Sequence, residues 1–475
     1  MFDERIREQV KELEKGFLKD LSTDSYRLKF HLMPPVGWLN DPNGLCQFKG
    51  IYHVFFQYSP LHVNGGMKAW GHYTSADLVN WNYVGAPFYP DKEFDKDGVY
   101  SGSALIADGK MHLYYTGNVK QPGDHDYISS GREANTVYIV SEDGINFSEK
   151  KVLLRSEDYP SHYTCHIRDP KVWEENGTYY MVLGGRQTGD KGAVLVYESK
   201  DKLSWSLKNE VTLTPAFGYM WECPDYIELG GKKFFACSPQ GVEHEEFAHQ
   251  NMYSAGYFLL DGDIKGECTL GEFIEWDMGF DFYAPQTFTD EHGRTILISW
   301  AGVPDAPYSN ASIERGWQHS MTVPRVLREK DNKIYQYPVN ELLELRGECI
   351  TVASKEKISF ENGIFDLELT GIQSQDCHVT IADCVHFECR DGVAQITFEG
   401  DAGCGRDIRK AKVAELESVR ILADTSLLEI YLNDGEYVFT TRYYKEGEQN
   451  SVVVDCDNAT IHAWKLKAME VTINE

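Results

Sequence analysis

The sequence lacks several features that define broad classes of protein. No apolar run approaches the length needed to cross a bilayer, and no apolar segment follows the charged residues Asp3 to Arg5, so no signal peptide is expected. The 11 cysteines form no Cys-x-x-Cys pair, which favours reduced thiols in a cytoplasmic protein. No histidine, cysteine and carboxylate cluster has metal-site spacing, so we expect neither a metal nor another cofactor.

Positive charge is also scarce. The chain carries 46 Lys and Arg against 74 Asp and Glu, a formal net charge of -28. Nucleic acids and anionic membranes bind clustered basic residues, so neither is expected as a partner. A small phosphorylated substrate remains compatible with this charge, because one local basic pocket is sufficient to bind it.

Aromatic residues are plentiful, at 13% of a chain of 475 residues, and a chain of this length contains two or three domains. Tyr-rich composition favours many short strands and pockets where sugar rings stack. Near the start, helical spacing of apolar residues predicts an amphipathic helix over residues 3–21, packed on the main body. The apolar positions are Ile6, Val10, Leu13, Phe17 and Leu21.

From Leu28 onward one strand-rich unit recurs five times, each time with a polar motif, an aromatic strand and a second strand. The polar motifs are NDPNG (40–44), YSGSA (100–104), RDPKVW (168–173), ECPDY (222–226) and YAPQT (283–287). Three units end in a Ser-x-Asp turn, over residues 75–81, 141–147 and 199–205. Ordinary turns would explain the Gly and Pro residues, but not carboxylates at the equivalent place in three units. The repeat predicts a five-bladed β-propeller whose innermost strands bring the motifs to one channel.

The rest of the chain completes an all-β prediction. Residues 338–349 predict a helical linker, and the alternating strands of residues 350–475 predict a β-sandwich without an acid/base group. A hairpin over residues 429–444 is expected to turn at Asn433-Asp434-Gly435. The predicted order is a helical cap (1–27), a propeller (28–337), the linker and the sandwich.

Carboxylates in the repeated motifs fit glycoside hydrolysis, which needs one ionised and one protonated carboxyl group around the scissile bond. Glu222 follows Tyr219, Met220 and Trp221. An apolar setting favours the protonated form of a carboxyl group, which suits the acid. We therefore predict that Glu222 is the proton donor.

Two aspartates complete the predicted catalytic group. Asp41 lies between Asn40 and Asn43, whose amides can donate hydrogen bonds and keep it ionised as the nucleophile. Asp169 is expected to stay charged beside Arg168, where it would bind sugar hydroxyls and favour an oxocarbenium-like transition state.

Together these motifs resemble the signature motifs of glycoside hydrolase family 32, the family of invertases, sucrose-6-phosphate hydrolases and fructan hydrolases. The matching segments are WLNDPNG (38–44), YSGS (100–103), RDP (168–170), WECPD (221–225), FYAPQTF (282–288), GWQHSMTVPR (316–325), PVNELLELR (338–346) and DTSLLEIYLNDG (424–435). The resemblance covers nearly the whole chain from Leu28. It implies a five-bladed propeller followed by a sandwich.

The resemblance also implies roles for individual residues. Asp41 would form a fructosyl-enzyme, Glu222 would be the general acid/base, and Asp169 would stabilise the transition state. The expected substrate-binding residues are Asn40, Gln57, Trp70, Tyr100, Ser101, Arg168 and Trp300. The implied activity is retaining hydrolysis of the terminal β-fructofuranosyl bond of sucrose or sucrose 6-phosphate. Fructan hydrolysis, fructosyl transfer and sugar binding without catalysis are the alternatives.

One segment departs from the invertase pattern. Gly65 and Gly66 stand where many invertases carry a tryptophan, so an aromatic wall of the sugar pocket is missing or is supplied elsewhere. The glycine version looks more like intracellular sucrose-6-phosphate hydrolases. Four basic residues in predicted loops could reach a phosphate, although each is also explained as a solvated surface charge. They are Arg132, Arg186, Lys191 and Arg315.

Overall fold

The structure, a computed structural model, describes residues 4–19, 24–373, 376–445, 447 and 450–473. Within these residues the strands form seven sheets, and the prediction of an all-β fold with a short N-terminal helix is confirmed. Four short 3-10 helices interrupt the strands, at Ser156–Asp158, Ala311–Arg315, Asn340–Leu345 and Asn433–Gly435. No helix in the described ranges is long and apolar enough to cross a membrane.

Helix α1 (Glu4–Lys19) packs on the first sheet. Val10 is fully buried as predicted, but Leu13 is 40% exposed and Glu14 takes the buried position instead. The Glu14 carboxylate accepts hydrogen bonds from the hydroxyls of Tyr58 and Tyr83, at 2.9 and 2.7 Å. The predicted apolar face is therefore wrong at Leu13, and the side chain of Phe17 and residue Leu21 lie outside the described part of the chain.

Five sheets follow in chain order, each built from strands that pair antiparallel with their chain neighbours, and the first strand of each contains one of the polar motifs. The first contains β1 (Gly37–Phe48), β2 (Ile51–Ser59), β3 (Ala69–Ser75) and β4 (Trp81–Phe88). The second contains β5 (Val99–Ala107), β6 (Lys110–Lys120), β7 (Arg132–Ser141) and β8 (Lys151–Leu154). The third contains β9 (Tyr163–Glu175), β10 (Thr178–Gln187), β11 (Lys191–Ser199) and β12 (Ser206–Thr212). The fourth contains β13 (Met220–Leu229), β14 (Lys232–Gln240), β15 (Gly256–Gly262) and β16 (Cys268–Glu275).

The chain segment that forms the fifth sheet also contains one short strand that pairs with the first sheet. The fifth sheet contains β17 (Tyr283–Thr289), β18 (Thr295–Trp300), β20 (Arg325–Lys330) and β21 (Lys333–Pro338), whereas the intervening β19 (Trp317–Gln318) pairs in parallel with β1. Strands of this kind form because aromatic and β-branched residues pack well on a pleated surface. In β2, for example, every residue after Ile51 is buried.

The first strands of the five sheets lie against one another in sequence. β1 contacts β5, β5 contacts β9, β9 contacts β13, β13 contacts β17, and β17 contacts β1. Polar side chains join them: the Gly102 N–H donates to Asn43 Oδ1 at 2.9 Å, and Gln286 Nε2 donates to the Gly102 carbonyl at 2.8 Å. Only glycine fits at residue 102, since a Cβ there would lie 1.8 Å from the Tyr114 carbonyl oxygen. All five polar motifs are therefore brought to one place.

Each first strand also shifts its pairing register at its polar motif. The shifts lie at residues 39–42, 99–102, 168–171, 222–225 and 283–286. In three of them one residue adopts a left-handed backbone, with φ of 63° at Asp169, 46° at Cys223 and 51° at Ala284. A bulge of this kind re-aims the side chains around it, which is why bulges are frequent next to active sites.

The Ser-x-Asp turns are confirmed in all three units. In the first, Ser75 Oγ accepts the Asp77 N–H at 3.1 Å, and Asp77 Oδ1 accepts the N–H groups of Val79 and Asn80 at 2.9 and 2.7 Å. The turns at Asp143 and Asp201 repeat the same bonds. These side-chain bonds satisfy backbone donors that the turn would leave unpaired.

Two six-stranded sheets form the C-terminal part around one apolar core. Their strands in chain order are β22 (Arg346–Thr351), β23 (Lys357–Ser359), β24 (Phe365–Thr370), β25 (Cys377–Ile381), β26 (Val385–Arg390), β27 (Val393–Phe398), β28 (Ile408–Lys412), β29 (Val419–Ala423), β30 (Leu427–Leu432), β31 (Tyr437–Arg442), β32 (Ser451–Asp455) and β33 (Thr460–Leu466). The predicted hairpin is confirmed, since β30 and β31 pair across a turn at Asn433–Gly435.

Buried charges connect these sheets to the first five. Arg325 on β20 donates to Glu429 on β30 at 2.7 Å, and it also contacts Asp277 at 3.3 Å. His31 bonds to the other oxygen of Glu429 at 3.0 Å. The last strand, β34 (Val471–Ile473), returns to the first sheet and pairs in parallel with β4.

Candidate active site

One cavity, at the place where the first strands meet, contains the three predicted catalytic carboxylates. We call it the carboxylate cavity. It is lined by Trp38, Asn40, Asp41, Gln57, Lys68, Tyr100, Ser101, Arg132, Arg168, Asp169, Glu222, Gln240, Tyr283, Trp300 and Pro304. Chain positions from 38 to 304 therefore contribute to one site. In the described part of the chain, no group of three His, Cys, Asp or Glu side chains could hold a metal ion.

Another cavity of similar size lies between the segment 27–35 and strand β34. Its lining is largely apolar and, among the described residues, includes no carboxylate. His31 also lines this cavity, and the two nitrogens of its ring form hydrogen bonds with Asp424 and Glu429. This cavity therefore offers no acid/base pair.

Asp41 is held by two donors on its two carboxylate oxygens. Ser101 Oγ donates to Oδ2 at 2.5 Å, and Asn40 Nδ2 donates to Oδ1 at 2.9 Å. Burial raises the pKa of Asp41, these two bonds lower it, and the charge of Glu222 raises it. The prediction for Asn43 is wrong, because its amide donates to the backbone oxygen of residue 41 at 3.2 Å and its own oxygen accepts from β5.

The amide of Asn40 has only one consistent orientation. Its oxygen accepts hydrogen bonds from Trp38 Nε1 and from Lys68 Nζ, both at 2.8 Å. The NH₂ group must therefore face Asp41. Lys68 is itself half-buried, and desolvation lowers its pKa to about 7 although the charge of Asp41 opposes the shift.

Glu222 accepts hydrogen bonds on both oxygens. Arg168 donates to Oε1 through Nε at 3.0 Å and through Nη2 at 2.5 Å. Gln240 Nε2 and the Tyr283 hydroxyl donate to Oε2 at 2.7 and 2.6 Å. The carboxyl group is thus oriented by four donor contacts.

The apolar setting predicted for Glu222 is wrong. Met220 and Trp221 are fully buried, but the Trp221 ring packs against Phe235 and Phe258 in a core between sheets. Successive side chains of a strand point to opposite faces, so neighbours along the chain do not surround the carboxylate.

Asp169 lies beside Cys223, whose N–H donates to Oδ2 at 2.9 Å. The Cys223 thiol lies 3.7 Å from Asp169 and 3.8 Å from Asp41, which places the two aspartates on either side of one sulfur atom. Burial raises the pKa of Asp169, and the nearby charge of Arg168 only partly opposes this. The expectation that Asp169 stays charged beside Arg168 remains a prediction: the charge of Arg168 lowers its pKa, although the guanidinium forms its hydrogen bonds with Glu222.

Six of the seven predicted substrate-binding residues line the carboxylate cavity. They are Asn40, Gln57, Tyr100, Ser101, Arg168 and Trp300. Trp70 does not, and this is a correction. It lies on the third strand of its sheet, is fully buried against Phe55 and Phe88, and donates its N–H to the Tyr100 carbonyl at 3.1 Å. Trp70 supports the backbone of β5 from behind.

Aromatic walls are present despite the glycines at 65 and 66. Trp38, Tyr100, Tyr283 and Trp300 all line the cavity. A Cβ built on Gly65 would lie 3.6 Å from the Trp38 ring, so this glycine segment packs close to the ring. The wall expected from the invertase pattern is thus supplied by other residues.

Several lining residues had not been predicted, namely Trp38, Lys68, Gln240, Tyr283 and Pro304. A signal for Tyr283 existed, because it precedes Ala284 as Arg168 precedes Asp169. Gln240 lies on β14 opposite Met220, and Lys68 lies in the loop before β3, so neither has a repeated position.

Of the four basic residues considered for phosphate binding, one lies in the cavity lining and three do not. Arg132 lines the carboxylate cavity. Arg186 is paired with Asp190 at 2.6 Å, and neither Lys191 nor Arg315 belongs to the lining.

Comparison with known proteins gives concordant matches. Residues 31–338 match the description "Glycosyl hydrolases family 32 N-terminal domain", and residues 390–470 match "Glycosyl hydrolases family 32 C terminal". A sucrose-6-phosphate hydrolase of Bacillus subtilis (strain 168) is 39% identical over 464 residues, covering 93% of this chain and 94% of that protein. A raffinose invertase of Escherichia coli is 33% identical over 448 residues, covering 89% and 90%.

Solved structures agree with these matches. A sucrose-6-phosphate hydrolase from Lactobacillus gasseri superposes with a TM-score of 0.89 at 27% identity, covering 98% of this chain and 99% of that one. A Bombyx mori GH32 β-fructofuranosidase variant in complex with sucrose gives a TM-score of 0.84 at 27% identity, with both chains covered completely.

Proposed function

The chain belongs to glycosyl hydrolases family 32, and from this premise we propose that it is a β-fructofuranosidase acting on sucrose or sucrose 6-phosphate. One observation carries the proposal: Asp41, Asp169 and Glu222 line the same cavity, although they come from three different sheets. Glycoside hydrolysis needs two such carboxyl groups around one bond. The names of the relatives and the sucrose complex of a similar structure support the substrate class.

For the fold, we propose that the first five sheets are the blades of a five-bladed propeller. Support comes from the contact of β17 with β1, which closes the series of first strands. The proposed domains are a cap over residues 1–27, the propeller over 28–337, a linker over 338–349 and a sandwich over 350–475.

For the reaction, we propose a double displacement with retention. The Asp41 carboxylate attacks the anomeric carbon of the fructosyl unit while Glu222 gives its proton to the leaving oxygen, so that the glycosidic bond breaks as the fructosyl-enzyme ester forms. Water then attacks the same carbon. Glu222 takes the proton of that water, and the ester bond to Asp41 breaks.

The contacts of each carboxylate fit these roles. Ser101 and Asn40 donate to Asp41, which stabilises the ionised nucleophile in a buried site. The donors on Glu222 suit the second step, in which it acts as a base. In the first step Glu222 donates a proton. A fructosyl unit that binds Arg168 would move the guanidinium away from Glu222 Oε1, which removes the cation that stabilises the ionised carboxylate.

Asp169 is proposed to stabilise the transition state. Its buried, ionised carboxylate would lie beside the sugar ring, where its negative charge stabilises the positive charge that develops as the bond breaks. Hydroxyl groups of the fructosyl unit would be its hydrogen-bond donors.

We also propose a cytoplasmic location. Sucrose 6-phosphate forms inside cells when sucrose uptake is coupled to phosphorylation, and four of the curated relatives are named as hydrolases of that compound with at least 34% identity.

The proposal is tested by incubating the protein with sucrose, sucrose 6-phosphate and inulin and separating the products by chromatography. We expect fructose from sucrose and from its 6-phosphate, with the β-anomer of fructofuranose as the first product in NMR spectra. Asp41→Ala should abolish turnover without loss of the folded state. Oligofructosides as the main product would show a fructosyltransferase, and undiminished turnover by Asp41→Ala would remove the assigned nucleophile.

A further inference from the structure

Three cationic side chains line the carboxylate cavity, and they differ in what they contact. Arg168 is paired with Glu222 at 2.5 Å, and Lys68 donates to Asn40 at 2.8 Å. Arg132 forms no ion pair or hydrogen bond through its guanidinium with any described residue, and its Nε atom is buried without a hydrogen-bond partner. In a chain of net charge -28, a half-buried arginine without a carboxylate partner is unusual.

The position of Arg132 identifies one end of the cavity. It begins β7, and the charged groups that act on it are the carboxylate of Glu222 and the like-charged Arg168. The carboxylate that acts on Lys68 is Asp41. Arg132 therefore lies towards the proposed proton donor, and Lys68 lies towards the proposed nucleophile.

The proton donor marks the side of the leaving group. Because Glu222 gives its proton to the glycosidic oxygen, the glucosyl unit of sucrose must extend from this oxygen on the Glu222 side. In sucrose 6-phosphate the phosphate is carried by that glucosyl unit. A planar guanidinium with several N–H donors matches phosphate geometry and forms charge-assisted hydrogen bonds with it.

Burying a cation next to a like charge is unfavourable unless an anion compensates it. We propose that Arg132 binds the phosphate of a phosphorylated leaving-group sugar and thereby sets the preference for sucrose 6-phosphate over sucrose. This inference rests on the proposed function. It makes Arg132 a specificity-determining residue that takes no part in the bond-breaking steps.

The test is the ratio of kcat/KM for sucrose 6-phosphate to kcat/KM for sucrose, measured in the full-length protein and three variants. In Arg132→Gln, kcat/KM for the phosphorylated substrate should fall roughly 10- to 150-fold, the size of a charged hydrogen bond, while sucrose changes less than about threefold. Arg132→Lys keeps the charge and should recover part of the ratio. Arg186→Gln is the matched control, since Arg186 is already paired with Asp190, and its ratio should equal that of the parent.

A second measurement begins with the parent protein alone. Inorganic phosphate should inhibit sucrose hydrolysis by the parent protein competitively, and chloride at equal ionic strength should not. The inhibition should be at least about tenfold weaker in Arg132→Gln.

These measurements distinguish a failure of the Arg132 inference from a failure of the proposed function. An equal loss on both substrates in Arg132→Gln would show that Arg132 acts on Glu222 or on sugar hydroxyls, and an unchanged ratio would show that phosphate binds elsewhere. Either result overturns the inference but leaves the proposed function intact. If the parent protein hydrolyses neither substrate, the proposed function itself fails.

Discussion

Ser101 provides the sharpest test of the proposed nucleophile, because its hydroxyl donates directly to Asp41 Oδ2 at 2.5 Å. Burial and the charge of Glu222 both raise the pKa of Asp41, whereas the bonds from Ser101 and Asn40 lower it. Ser101→Ala removes one of the contributions that lower this pKa, which also include the charge of Lys68. The pKa of Asp41 should therefore rise, and a higher pH should be needed to ionise the nucleophile.

The size of this shift follows from the bond that is lost. A hydrogen bond to a charged group contributes about 1.5–3 kcal/mol, and one pKa unit corresponds to about 1.4 kcal/mol, so the rise should be about 1–2 units. At a fixed pH on the acid side, where rate follows the ionised fraction, kcat/KM should fall about 10- to 100-fold. At higher pH the deficit should narrow, since Asp41 ionises in both proteins.

The assay is the pH dependence of kcat/KM for sucrose, which reports ionisations of the free enzyme. Ser103→Ala is the matched control. Ser103 lies two residues further along β5, and its hydroxyl accepts the Val172 N–H at 3.2 Å without contacting Asp41. That variant should lose some stability and keep the parent pH profile. If Ser101→Ala lowered the rate equally at every pH, its hydroxyl would act on the sugar and the reasoning about Asp41 would be refuted.

Three other substitutions probe separate parts of the molecule. Glu222→Gln should slow hydrolysis of sucrose far more than that of an activated aryl fructoside, which needs little protonation; equal losses would contradict its role as proton donor. Lys68→Met should lower kcat/KM about 3- to 15-fold by releasing the Asn40 amide, and should abolish a fall in activity above about pH 7, where Lys68 loses its proton. Arg325→Met should leave Glu429 buried without its cation and lower the free energy of unfolding by about 3–5 kcal/mol in urea titrations; a cost below about 1 kcal/mol would show that this ion pair is dispensable.

Acid should destabilise the protein partly through the same buried carboxylate. The Arg325 charge and His31 hold the pKa of Glu429 at about 2, below its ordinary value of 4.5. A lowered pKa in the folded state gives stability that is complete above about pH 4.5 and is lost as the pH falls towards 2. Urea midpoints measured across this range should decline less steeply in Glu429→Gln than in the parent.

Much of the fold and the carboxylate trio could be predicted because the repeat carries positional information. Asp41, Asp169 and Glu222 belong to the polar motifs of three units, although Glu222 stands level with Arg168, one residue before the position of Asp169. The expectation that these motifs lie on equivalent strands was enough to predict that all three carboxylates line one cavity. That expectation needed no knowledge of loop geometry. It needed only the assumption that equivalent motifs lie on equivalent strands.

Local chain neighbours were a poor guide to the environment of each group. Trp221 adjoins Glu222 in sequence but points into a core on the other face of its strand. The left-handed residue at Cys223 then changes the direction of the strand directly after the carboxylate. Apolar residues beside a strand carboxylate therefore say little about what its oxygens contact.

Contacts between elements that are far apart in the chain could not be predicted from the spacing of residues in the sequence. Helical periodicity placed Leu13 on the buried face, but Glu14 is buried because two tyrosine hydroxyls from β2 and β4 satisfy it. Lys68 reaches the cavity from a loop, and only the hydrogen bond from its Nζ atom to Asn40 shows that it belongs to the site. Both cases depend on partners that no regular spacing encodes.

The first sheet has a consequence for how the protein is made in the cell. Its outer strands are β19 beside β1 and β34 beside β4, so residues 317–318 and 471–473 border a sheet whose core strands come from residues 37–88. A ribosome delivers those border residues hundreds of codons later. The nascent sheet that bears Asp41 therefore has an open edge at β1 until residues 317–318 emerge and another at β4 until residues 471–473 emerge. Open sheet edges are the surfaces on which chains mispair and chaperones act.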